Sequence, residues 1–94
     1  MAVDVAVLII HPAVAEKIRV KHPPLTAEAV HSALVYARGV TAGWQNHETH
    51  GLRLIASATT RDGVEFIAYL LPLNENDPEE GPFVLKTAIP KPSP

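Results

Sequence analysis

The sequence predicts an α+β domain: two short N-terminal helices packed on one face of a mainly antiparallel sheet, in the order β-α-α-β-β-β. Three observations carry this. An apolar, largely β-branched run, Val5 to Ile10, opens the chain and reads as a strand. Two segments with helix-start signals follow, at Pro12 and Thr26. Two alternating runs then meet across Asp62-Gly63, and a last strand-like run spans Phe83 to Ile89.

Val5-Ala-Val-Leu-Ile-Ile10 is apolar at every position, as a strand covered on both faces would be. It is therefore expected inside the sheet, beside the last strand. His11-Pro12 stops it, with His11 as helix cap and Pro12 suited to a first helical turn. In Ala13 to Lys21, Val14 and Ile18 share one face and Lys17 and Lys21 another. Pro23-Pro24 ends that helix, because a residue before proline avoids the α conformation.

The second helix is expected over about residues 27–38. Thr26 is its N-cap, and Glu28 suits the positive end of the dipole. Leu25 and Val30 form a hydrophobic staple, and Val30, Ala33, Leu34 and Ala37 a buried stripe. Gly39 is placed for a left-handed C-terminal cap, with Val40 folding back on Val35.

Thr41 to Gln45 reads as a short edge strand, and Asn46 to Gly51 as a turn. In Leu52 to Thr60 one face carries Leu52, Leu54, Ala56 and Ala58, the other Arg53, Ile55, Ser57 and Thr59. In Val64 to Leu71 one face carries Val64, Phe66, Ala68 and Leu70, the other Glu65, Ile67, Tyr69 and Leu71. Pro90-Lys-Pro-Ser-Pro94 reads as a tail outside the ladder of a single domain over residues 1–89.

Composition bounds the function. Ninety-four residues with a 47% hydrophobic fraction suit one small core. With no cysteine there is no disulfide, thiolate nucleophile or thiolate metal site, in keeping with a cytoplasmic setting. The first apolar run is too short for a secretory h-region, and no run approaches a membrane span. Net charge is −2, which opposes a bulk electrostatic grip on nucleic acid. Residues 74–82 nevertheless hold four of the ten acids and no base, so the remainder is mildly basic, with eight bases against six acids.

Lys21-His22, Leu25-Thr-Ala-Glu-Ala-Val30, His50-Gly-Leu-Arg53, the Asp62-Gly63 hairpin and Phe66-Ile-Ala-Tyr69 occur in an order that resembles the RelE/ParE superfamily of bacterial toxins, closest in pattern to its BrnT-type branch. The resemblance covers about residues 5–89. It implies a toxin-like, metal-independent endoribonuclease neutralised by an antitoxin protein. Partners to expect are then the antitoxin and RNA, and no cofactor; a second copy of the chain is expected on the non-catalytic reading below, and the run lengths already argue against a membrane.

RNA cleavage of that kind needs a base, an acid and cations for the phosphorane. On the resemblance, His22, His50 and Arg53 are the candidate catalytic residues, and Lys21, Arg61 and Lys86 the candidate phosphate ligands. Arg53 and Tyr69 alternate outward on adjacent strands and Lys86 comes from a third, so one face could converge on an anion. The plainer reading makes these solvated charges, with Arg53 paired to Glu65 and Tyr69 packed under a helix. No metal site is expected, since His47-Glu-Thr-His50 lacks the helical spacing of a zinc motif. A second functional reading is a non-catalytic module of the same fold that binds a protein or dimerises. It is favoured by Leu85-Lys-Thr-Ala88, which has threonine where the branch carries arginine, and by the acidic loop.

Overall fold

A computed structural model describes Val5 and residues 7–35, 40–49, 51–74, 76–77 and 81–91. The elements are β1 (Leu8–Ile9), α1 (Pro12–Lys21), α2 (Ala27–Leu34), β2 (Thr41–His47), β3 (Gly51–Thr59), β4 (Glu65–Pro72) and β5 (Phe83–Pro90). They form the predicted α+β architecture with one strand more than the order β-α-α-β-β-β counts, β2 being the added edge strand, in a five-stranded sheet of order β1-β5-β4-β3-β2. All neighbours are antiparallel except β1 and β5.

The helices form for reasons local to the sequence. His11 caps α1, its Nδ1 accepting from the Ala13 N–H at 3.1 Å, and Pro12 occupies the first turn. Thr26 caps α2, its Oγ1 accepting from the Ala29 N–H at 3.1 Å. Leu25 and Val30 are both buried, as the staple requires. The second helix ends at Leu34, four residues short of the expected 38. Val35 is extended (φ −79°, ψ 121°) and packs against the core, so its burial in that conformation replaces a further helical turn. Ala37 and the Gly39 cap lie outside the described residues.

The β3–β4 hairpin is the one signalled by Asp62-Gly63. Gly63 donates to the Thr60 carbonyl at 3.0 Å with φ +88°, the left-handed residue of a three-residue loop. Thr60 is buried, and its hydroxyl accepts from the Val64 N–H at 3.0 Å.

Alternation then divides the sheet. Leu54, Ala56, Phe66, Ala68, Leu70, Phe83, Leu85 and Ala88 are buried beneath the helices with Ile18, Leu25, Val30 and Leu34. α1 lies against β5, α2 against β3, and the helices touch each other. Strict alternation would put Leu85 and Ala88 on opposite faces. A bulge resolves this: Tyr69 pairs with Thr87 and Leu70 with Leu85, leaving Lys86 as the extra residue.

Two expectations are corrected. β1 does neighbour the last strand, but at the edge of the sheet and not inside it. Val7 is 54% and Ile9 44% exposed, so the apolar run is covered on one side only. Pro90 belongs to β5, opposite Phe66. Lys91 donates to the Glu65 carbonyl at 2.9 Å, so the missing Pro90 N–H falls on the side away from β4, where β1 does not reach.

Candidate functional site

The sheet face opposite the helices is covered by no described element. Its rows follow from the register. Gln45, Arg53, Leu71 and Val84 form one row, Gly43, Ile55, Tyr69 and Thr87 the next, and Thr41, Ser57, Ile67 and Ile89 the third. Ile55, Ile67, Leu71 and Val84 are half-buried, and Ile89 is 40% exposed. The face is apolar at its centre.

Arg53 stands at one end of it. Its Nε donates to Gln45 Oε1 at 2.6 Å across the β2–β3 pair. Its guanidinium carbon lies 4.7 Å from the centroid of the Tyr69 ring. The cation–π contact and the hydrogen bond restrain the guanidinium and use one of its five donors. The two terminal nitrogens remain as a fork that matches a carboxylate or phosphate. Lys86, at the bulge beside Thr87, adds a second cation to this end of the face.

The predicted residues separate into three groups. Arg53 and Lys86 share the open face, with Tyr69. Lys21 and His22 close α1 in the helix layer, on the other side of the sheet; the His22 N–H caps the helix by donating to the Ile18 carbonyl. Arg61 begins the β3–β4 turn, about 25 Å along β3 from Arg53 at roughly 3.3 Å per residue. His50 and the His47 side chain lie outside the described residues.

The plainer reading is corrected at two points. Tyr69 packs under Arg53 and not under a helix. Glu65 lies opposite Thr59, six residues along β3 from Arg53, so the Arg53–Glu65 pair does not form. Gln45 was not legible as a site residue, although a hairpin turned near residue 49 places it opposite Arg53.

Other features of the described residues lie elsewhere. On α1, Arg19 and Glu16 form an exposed two-point ion pair. The hydrogen bond and charge of Arg19 hold the Glu16 carboxyl below its ordinary pKa, and Glu16 raises that of Arg19. An open cleft of about 430 Å³ lies between β1 and α2, lined by Leu8, Ile10, Ala27, Glu28, His31 and Ser32. Among the described residues no group of three His, Asp or Glu could hold a metal ion, and no helix is long and apolar enough to cross a membrane. Comparison with protein-family models, with curated proteins and with solved structures finds no match for this chain.

Proposed function

We propose that this protein is a non-catalytic, cytoplasmic binding module of RelE-like type. Its working surface is the open face of the sheet, and its partner is a protein segment that carries a carboxylate among apolar side chains. The observation behind this is the pairing of a forked, stacked Arg53 with an apolar field of Ile55, Ile67, Leu71 and Val84. A segment with aliphatic residues would cover the field, and its acid would meet Arg53 and Lys86. A nucleic acid asks for more: each phosphate neutralised adds to affinity, and two cations on a chain of net charge −2 neutralise few.

The toxin-like ribonuclease is the second reading, and the shared face of Arg53, Tyr69 and Lys86 favours it. Its described acid–base candidate, His22, is in the other layer, so catalysis on the open face would have to draw its proton carriers from elsewhere.

Selection of short random peptides on the folded protein tests the choice. The module reading expects enrichment of acidic, aliphatic peptides whose binding falls at least tenfold in Arg53→Ala with the fold retained. Peptides indifferent to Arg53, or no enrichment beside salt-dependent RNA binding and growth arrest on expression, would overturn it in favour of the ribonuclease.

A further inference from the structure

We propose that β2 is a pairing edge and that a second copy of this chain covers it, β2 against β2, in an antiparallel two-fold dimer. Among the described residues β2 ends the sheet, and its seven residues are bonded to β3 on one side and to no described strand on the other. Its outward backbone donors and acceptors ask for another strand, so the chemistry of the edge names the kind of element that covers it. Exposed edges are ordinarily guarded by charge, proline or brevity. The other edge has such guards: β1 is two residues long, Pro12 follows it, and Pro90 closes β5 beyond it. Thr41-Ala-Gly-Trp-Gln-Asn-His47 has no Lys, Arg, Asp, Glu or Pro.

Three things select a second copy as the occupant. Among the described strands, β2 is the long one whose whole outer edge is open; β5 is also unpaired beyond Val84, but Lys86 and Pro90 stand on that stretch, so an identical β2 supplies the strand of matching length. A strand without charge pairs with itself free of like-charge repulsion. A two-fold axis at Trp44 also aligns all seven residues, setting Thr41 against the other His47 and Trp44 against the other Trp44. That register places Gly43 opposite the other Gln45. Gly43 is exposed and a Cβ there would meet nothing within 4 Å, so the slot is open. The contact is isologous and closes at two copies, because β1 is too short to carry the sheet on. The dimer uses the backbone edge of β2, which borders the open face at Thr41, Gly43 and Gln45 but leaves Arg53 and Tyr69 uncovered, and it does not rest on the binding reading.

The test is sedimentation of the full chain over a range of concentrations, with isotope-filtered nuclear Overhauser contacts in a mixed labelled and unlabelled sample. The proposal expects a dimer with contacts between strands 41–47 of the two copies, including Trp44 to Trp44. Gly43→Lys would set two ammonium groups diagonally across the axis, about 7 Å apart at Cα. It should weaken the dimer at least tenfold and leave the circular dichroism of the protomer unchanged. A wild type monomeric at millimolar concentration, a dimer with contacts centred on Tyr69, Ile67 and Thr87 or on the helices, or a folded Gly43→Lys that still dimerises at wild-type strength would each overturn the proposal.

Discussion

Arg53→Ala separates a binding role for the open face from a structural one. The substitution removes a cation–π contact at 4.7 Å and a hydrogen bond at 2.6 Å to a neutral partner. On a half-buried sheet face the first contributes about 0.5–1 kcal/mol. The second, solvent-accessible, contributes about 0.5 kcal/mol. Together they predict a loss of about 1 kcal/mol, or a fall in Tm of about 5 °C for a domain of this size. Urea unfolding followed by Trp44 fluorescence measures it, because Trp44 is the sole tryptophan and its ring lies 6.2 Å from that of Phe83. A double-mutant cycle with Tyr69→Ala should return a coupling of about 0.5–1 kcal/mol. A loss above about 3 kcal/mol would make Arg53 a pillar of the fold. A coupling of zero would mean that the stack is not held in solution. Either result would refute a preorganised anion fork.

The remaining predictions follow from particular residues. Thr26→Ala removes the α2 cap and should cost about 1 kcal/mol in the same assay. Phe66→Ala empties the buried face of β4 and should cost about 3–5 kcal/mol, whereas Ile67→Ala on the open face should cost under about 1.5 kcal/mol; equal costs would mean that the open face is covered in the free protein. Gly63→Ala forces a side chain into φ +88° and should cost about 1–2 kcal/mol. Glu16 should titrate below the ordinary carboxylate range by NMR and return to it in Arg19→Ala. Its lowered folded-state pKa makes any contribution present at neutral pH and lost as pH falls through that value, and full exposure keeps it too small to move Tm measurably.

The fold was legible where local chemistry decides it. Asp62-Gly63 set the β3–β4 register, Pro12 and Thr26 set two helix starts, and alternation assigned Arg53 and Tyr69 to one face. It failed where tertiary context decides. Six apolar residues in a row read as a strand buried on both sides, yet the same run serves an edge whose outer residues meet solvent. The stripe through Ala37 and the Gly39 cap carried α2 past Leu34, but Val35 is extended and packs partly buried against the core. The bulge at Lys86 shows in the sequence only as two core residues, Leu85 and Ala88, three apart. The site was half legible for the same reason. Strand parity groups Arg53 with Tyr69, but nothing in spacing along the chain says that Lys21 and His22 lie on the far side of the sheet. Gln45 could be found only with the β2–β3 register, and Asn46 to Gly51 carries no two-residue turn signature to set it.

The proposed working surface of the protein is the open face of the sheet. Amide chemical-shift mapping of the protein titrated with an alternating Glu–Leu peptide, and separately with a short single-stranded RNA, tests this most directly. A binding face predicts saturable shifts from the peptide at Arg53, Ile55, Ile67, Tyr69, Leu71, Val84, Lys86 and Thr87, lost in Arg53→Ala, and no matching response to RNA at moderate salt. Shifts confined to α1 and α2, or an open face that answers RNA and not the peptide, would contradict it.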